Sequence, residues 1–155
     1  MDLLMREVAF QDLGEILAWR NQSEVREFSR NQDLITKETH SQWLNQRLKL
    51  IPDQPFWMFE SGSGKVGFVR FDLDSAVKLY EISIVVNPAM RGKGFGKEIL
   101  NRAINKCLSM NSDSNFIAEA HKNNLDSHSL FLNCGFQEIA INGNFLVFKR
   151  LANHN

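Results

Sequence analysis

Between Tyr80 and Leu108 the hydrophobic pattern changes its period once, and the rest of the chain is arranged around that change. The β-branched run Ile82, Ile84, Val85, Val86 reads as a strand that stops at Asn87-Pro88. A loop with glycine at positions 92, 94 and 96 follows. Beyond it, Ile99, Leu100, Ala103, Ile104, Cys107 and Leu108 recur at the spacing of one helical stripe.

The flanking pattern is read the same way. Leu4 to Phe10 can form a first strand, and Asp12-Leu13-Gly14-Glu15 has the form of a capping box, predicting a helix over 13–21 with Leu13, Ile16, Leu17 and part of Trp19 inward. Residues 22–33 are polar with a few apolar anchors (Val25, Phe28) and predict a loop or short helix. Thr36 is a good N-cap for a second helix over 37–48, whose His40, Trp43, Leu44 and Arg47 share roughly one side. Residues 56–60 and 65–71 read as strands joined by Ser61-Gly62-Ser63-Gly64, and Asp72 to Ser75 as a turn into a long strand over 77–86. After the glycine-loop helix come a strand over 115–120 and a helix from Asn124 to Asn133 ended by Gly135. A last strand pair, 136–141 and 145–150, crosses Asn142-Gly143-Asn144. The order β-α-α-β-β-β-α-β-α-β-β describes one mixed α/β domain over 1–155. The strand at Ile82 should pair in parallel with that at Phe116, because a right-handed helical crossover joins them.

Composition narrows the function. A chain of 155 residues holds one domain with a proper core. Basic and acidic residues balance at 18 each, whereas a nucleic-acid binder shows a basic excess. The two cysteines, Cys107 and Cys134, lie in no metal-ligand spacing, and His121 and His128 are not spaced as ligands, so no metal site is expected. No apolar run approaches a membrane span and the N-terminus lacks a signal-peptide core, which leaves a reducing cytoplasm as the expected compartment.

The glycine loop carries the chemistry. The first turn of a helix has amides without intrahelical partners and the positive end of the peptide dipoles. Gly92, Gly94 and Gly96 let a bulky anion approach that main chain, and Arg91, Lys93 and Lys97 add full charge. A Walker loop is excluded because Glu98 follows Gly96-Lys97 where a serine or threonine is required. A dinucleotide fingerprint is excluded because the third glycine comes one place early.

What remains, Arg91-x-x-Gly94-x-Gly96 after a strand ending in Val-Asn-Pro, resembles the coenzyme A loop of the GNAT N-acetyltransferases. The segment Asn124-Leu-Asp-Ser127 through Phe131 to Gly135-Phe136 is similar to that family's helix after its fifth strand. The element order is also that of the family, over essentially the whole chain. The resemblance implies a mixed central sheet of six to seven strands with about four helices, and a splayed parallel strand pair that holds acyl-CoA. It implies an acyl-CoA site lined by Ile84, Val85, Val86, Arg91, Gly92, Lys93, Gly94, Phe95, Gly96, Lys97, Asn124, Ser127 and Phe131. A narrower likeness, in Trp19-Arg20-Asn21, Val25-Arg26, Ile35, His40, Trp43-Leu44, Val69 to Asp72 and Glu81 to Ile84, is to acetyltransferases of pseudaminic-type sugar pathways. A more distant one is to ribosomal-protein N-terminal acetyltransferases.

The resemblance then implies acetyl transfer from acetyl-CoA to a primary amine of a small acceptor, which requires a base for the amine and a proton for the departing thiolate. Glu81 and Glu119 are the strand carboxylates expected nearest the splayed strands and are the candidate bases, beside a water-relayed one. Many relatives carry tyrosine at the position of Phe131, which has no proton to donate. Trp19, Arg20, Asn21, His40, Trp43 and Arg70 are the candidate acceptor-binding residues, since arginine grips phosphate bidentately and the rings can stack. For the tryptophans, plain core packing is the competing reading, and for His40 a position on the helix surface. The acceptors in view are a nucleotide-linked amino sugar, a protein N-terminus or a polyamine. A non-catalytic acyl-CoA-binding module of the same fold is the reading from another class, and a homodimer is an expectation of the resemblance.

Overall fold

Seven strands form one mixed sheet whose central pair, β4 with β5, is joined by three residue pairs. The structure is a computed structural model and describes residues 2–152. Strands β1 (Leu4–Glu7), β2 (Phe56–Ser61), β3 (Gly64–Asp74), β4 (Leu79–Val86), β5 (Asn115–His121), β6 (Gln137–Asn142) and β7 (Phe145–Arg150) lie in the order β1-β2-β3-β4-β5-β7-β6. Every neighbouring pair is antiparallel except β4 with β5, which is parallel as the crossover rule requires. The helices are α1 (Leu13–Arg20), α2 (Ser23–Glu27), α3 (Lys37–Leu48), α4 (Phe95–Met110) and α5 (Leu125–Asn133). The segment read as a loop or short helix supplies α2, one helix more than the four expected.

The sheet has a core on each face. Under α4 and α5, Ile99, Leu100, Ala103 and Ile104 pack on Phe71, Ile82, Phe116 and Phe148. Under α1 and α3, Leu13, Ile16, Trp19 and Leu44 pack on Phe56, Met58 and Phe68. Strand β4 serves both because its side chains alternate: Ile82, Ile84 and Val86 join the first core and Val85 the second. The stripe of α4 buries Ile99, Leu100, Ala103, Ile104 and Cys107, with Leu108 packed at its margin. Strand β3 must come close to β4 at Gly67, where an added Cβ would meet the Val85 carbonyl oxygen at 2.4 Å.

Two local readings are corrected. The Asp12 side chain caps no amide of α1, and Glu15 does not return to it. Asp12 is buried, accepts from the Ala9 amide at 2.9 Å and from both Arg6 Nη groups at 2.8 Å, and meets Lys65 Nζ at 2.8 Å. Glu15 pairs with Lys65 at 2.9 Å. Burial works to raise the Asp12 pKa, but bonds from Arg6, Ala9 and Lys65 prevail and hold it well below the usual carboxylate range. A carboxylate this buried requires cationic partners, and a short D-x-x-E spacing cannot show that they are within reach. The turn assigned to Asp72–Ser75 falls instead at 75–78, so that β3 runs on through Asp74 and β4 starts at Leu79. Asp72 is held in the strand by Arg47 and Arg70, each at 2.9 Å.

Candidate active site

The gap in the sheet is the first component. Strands β4 and β5 pair only at Leu79 with Asn115, Tyr80 with Phe116 and Glu81 with Ile117. Beyond Glu81 and Ile117 no further pairs join them, and the backbone groups along Ile82–Val86 and Ala118–His121 face a fork instead of a ladder. The splayed parallel pair expected from the sequence is therefore present. Ile84, Val85 and Val86 line its β4 side, half-buried.

The chain leaves β4 directly into the glycine loop. Asn87 fixes the exit, its Oδ1 accepting from the Ala89 amide at 3.1 Å and its Nδ2 donating to the Lys65 carbonyl at 2.9 Å. A single 3-10 turn, Pro88–Met90, brings the loop round. Gly92 at φ +76° and Gly94 at φ +81° take left-handed conformations, and Gly94 is the N-cap from which α4 begins at Phe95. The first-turn amides of a 16-residue helix thus open beside the fork, flanked by Arg91, Lys93 and Lys97. Gly96 lies between Leu130 of α5 and Val86 of β4, where a Cβ would make ordinary contacts of 3.6–3.7 Å. Arg91 Nη1 donates to Glu24 of α2 at 2.9 Å.

On the other side of the fork, α5 starts at its Asn124 cap, whose Oδ1 accepts from the Ser127 amide at 3.3 Å. Phe131 is buried against Phe136 and Phe148, with ring centroids 5.3 and 5.5 Å away. It packs in the α4–α5 core, so its lack of a hydroxyl costs no buried hydrogen bond.

The α1–α3 face of the sheet presents the second set. The register places Phe56, Arg70 and Ser83 in one row across β2, β3 and β4, and Asp72 opposite Glu81. Arg70 donates through Nε to Asp72 at 2.9 Å and through Nη2 to Ser83 Oγ at 3.2 Å. Its guanidinium lies 5.1 Å from the Trp43 ring, which in turn stacks on His40 at 5.2 Å. Arg47, 5% exposed, closes the row from beneath by donating to Asp72 Oδ1 at 2.9 Å and to the carbonyls of Gln54, Pro55 and Phe71.

Two cationic or titratable groups here keep an unanswered polar atom. Arg20 Nη1 and His40 Nε2 are buried without a hydrogen-bond partner, while Arg20 Nη2 reaches the Asn31 carbonyl at 2.7 Å. Burial pulls the Arg20 pKa down, reinforced by Arg26 and Arg70. Burial also lowers that of His40, helped by Arg20 and Arg70, which favours the neutral ring. His40 is thus an interior side chain of α3 and does not sit on the helix surface.

The structure gives several other candidates structural employment. Trp19 is buried and stacked on Phe68 at 6.4 Å, a core side chain that cannot reach an acceptor. Asn21 exchanges two bonds of 2.9 Å with the backbone of Ile35 and so ties the loop between α2 and α3. Glu119 is ion-paired with Arg30, whose guanidinium also lies 4.2 Å from the Phe145 ring. Glu81, exposed on the α1–α3 face at the last pair before the fork, has no such partner among the described residues. Among the described residues no group of His, Cys, Asp or Glu is placed to hold a metal ion, and no helix is long and apolar enough to cross a membrane.

Glu24 and Arg30 were not anticipated, and Arg26, Phe28 and Ser83 were named in the sequence pattern without a role at the site. The first four come from a segment without periodicity, Phe28 meeting the His121 ring at 5.5 Å across a long sequence separation. Ser83 was accessible to reasoning, because it lies two residues from Glu81 and shares its face.

No curated protein sequence matches the chain. Among solved structures, spermidine N-acetyltransferase from Vibrio cholerae, in complex with CoA and spermine, aligns at TM-score 0.84 and 20% identity over 98% of this chain and 96% of that one. Ribosomal-protein-alanine N-acetyltransferase from Brucella melitensis aligns at 0.78 and 22% over 96% and 99%. A phosphinothricin acetyltransferase from Sinorhizobium meliloti, in complex with acetyl-CoA, aligns at 0.80 and 18% over 97% and 89%. At these identities the likeness is one of fold. A profile of the acetyltransferase (GNAT) domain matches residues 2–137, and with a forked parallel strand pair running straight into a left-handed glycine loop, the chain belongs to the GNAT acetyltransferase family.

Proposed function

We propose that the protein moves an acetyl group from acetyl-CoA to a primary amine of a nucleotide-linked amino sugar. The observation that carries the transfer is the fork between β4 and β5 opening directly into the helix-terminal glycine loop. The residues fit the donor: the loop amides from Gly92 to Lys97 with Arg91 would hold its pyrophosphate, and the fork beside Ile84, Val85 and Val86 would take its extended arm. When bound, acetyl-CoA supplies the activated thioester. Both solved relatives crystallised with CoA or acetyl-CoA that are described above share this fold.

The chain's own residues then have defined tasks. Glu81 stands at the base of the fork on the acceptor face and takes the amine proton, directly or through a water. A thiolate of ordinary thiol pKa leaves with a proton from solvent, so no phenol is required at Phe131. Arg26 and Arg70 lie close enough to Arg20 to lower its pKa electrostatically, and the three would present positive charge to a phosphate, with Arg20 Nη1 an unanswered donor. Trp43, 36% exposed over Arg70, offers a stacking face. This lining favours a phosphate-bearing acceptor and opposes a polycation such as a polyamine. Free, buried Cys107 and Cys134 suit a reducing cytoplasm, and a second copy along the exposed β6 edge, at Ile139 and Ile141, would complete a homodimer.

Thermal melting with and without acetyl-CoA tests the donor. Ligand at about 100 times its Kd should stabilise the protein by about 2.7 kcal/mol. A UDP-linked 4-amino sugar should then release CoA thiol at far lower concentration than spermidine or a peptide. No melting shift at saturating acetyl-CoA would overturn the reading, and a preference for spermidine would overturn the acceptor.

A further inference from the structure

Resting on the reading of the fork as the acyl-transfer site, we infer that Ser83 is a catalytic residue whose hydroxyl donates a hydrogen bond to the negative charge developing on the acyl group. Ser83 is the first side chain on the acceptor face beyond the last β4–β5 pair, which is Glu81 with Ile117. It is half-buried, and continuing the parallel register sets it level with Glu119 across the gap.

Its hydroxyl is prepared for this by what holds it. Arg70 Nη2 donates to Ser83 Oγ at 3.2 Å, which occupies a lone pair and leaves the O–H proton to point elsewhere. An O–H whose oxygen accepts from a cation is a stronger donor. Arg70 is itself fixed from behind: Asp72 receives Arg70 Nε and Arg47 Nε, each at 2.9 Å, and Arg47 is anchored in the interior by three backbone carbonyls. Trp43 and Phe56 cover the Arg70 guanidinium at 5.1 and 6.0 Å. The chain Arg47–Asp72–Arg70–Ser83 therefore runs from a buried anchor to the Ser83 hydroxyl at the fork. Arg70, Asp72 and Arg47 are positioning residues.

The step balances without proton transfer through Ser83. The amine nitrogen bonds to the carbonyl carbon and the carbonyl electron pair moves to oxygen, where Ser83 O–H meets it. Collapse breaks the C–S bond, the thiolate departs and takes a proton from solvent, and the amine proton goes to Glu81 or water. A donor aimed at developing charge raises kcat and leaves ground-state binding nearly untouched.

Ser83→Ala should lower the rate of CoA thiol release from acetyl-CoA by about 100-fold, with water or a UDP-linked 4-amino sugar as nucleophile. The KM for acetyl-CoA and the melting temperature should stay as in the parent, and Ser83→Thr should restore most of the rate. A binding measurement reads the same contact without turnover. S-carboxymethyl-CoA puts an anionic oxygen near the acyl position, and Ser83→Ala should weaken it about 10-fold while leaving CoA itself unchanged. With water as the nucleophile, which leaves acceptor binding out of the measurement, Arg70→Lys should add little further loss in the Ser83→Ala background. Equal rates and equal S-carboxymethyl-CoA affinity in parent and Ser83→Ala, with acetyl-CoA still bound, overturn the role of Ser83 alone. Failure of the parent to bind acetyl-CoA overturns the acyl-site reading and the role of Ser83 with it.

Discussion

Glu24 on α2 holds Arg91 of the glycine loop in an ion pair of 2.9 Å. The arginine proposed to meet the pyrophosphate is thus already engaged by a carboxylate of α2. Both side chains are well exposed, and such pairs are worth about 0–1 kcal/mol. A doubly charged pyrophosphate can therefore take Arg91 from Glu24. Glu24→Gln should tighten acetyl-CoA binding by up to about fivefold in titration calorimetry, with the gain shrinking at high salt.

Gly96 and Gly94 should respond differently to the same substitution. A Cβ at Gly96 meets Leu130 and Val86 at ordinary contact distance, so Gly96→Ala should fold and bind acetyl-CoA within a fewfold of the parent. Gly94 has φ +81°, and Gly94→Ala should cost about 1 kcal/mol of stability. Gly96→Trp should abolish acetyl-CoA binding in a protein whose circular dichroism is unchanged. Unaltered affinity in that variant would remove the loop from the donor site.

The two strand carboxylates now stand apart. Glu119 is engaged by Arg30, whereas Glu81 at the fork has no ion-pair partner among the described residues. Glu81→Gln should lower kcat by about 10²–10⁴-fold and change the shape of the pH–rate profile. Glu119→Gln should act on stability and on KM for the acceptor. A pH profile unmoved by either substitution would leave the amine proton to water.

Acid stability should centre on Asp12. Its folded pKa is depressed by Arg6, Ala9 and Lys65 against the opposing effect of burial. A depressed carboxylate contributes stability that is fully present above its unfolded value of about 3.9 and is lost as pH falls below it toward the folded value. Asp12→Asn should lower stability at pH 7 by about 3 kcal/mol in urea unfolding, because Arg6 and Lys65 lose their buried partner. The variant should also show a shallower loss of stability below pH 4 than the parent.

The strands, α3 and α4 were legible because their signals are local. A helical stripe from Ile99 to Cys107, Thr36 at a cap and Ser61 to Gly64 between two apolar runs each decide their own structure. The strand, glycine loop and helix of the candidate donor site were legible for the same reason, since they are contiguous. The side-chain partners around the candidate acceptor residues were not. Burial of His40, pairing of Glu119 with Arg30 and packing of Trp19 on Phe68 depend on partners dozens of residues away. Asp12 misled for a related reason: a capping spacing is local evidence, and Lys65 overruled it from a distant strand.

The three-pair seam between β4 and β5 also divides the molecule as a folding problem. On one side β2, β3 and β4 are consecutive and joined by tight turns, and on the other β6 and β7 form their own hairpin. The seam rewards closure of the α4 crossover with three pairs, whereas β1 gains four pairs with β2 across a longer stretch of chain. The seam is therefore a weakly rewarded joint of the sheet, and accommodation of a ligand there would come from incomplete joining of two otherwise finished halves.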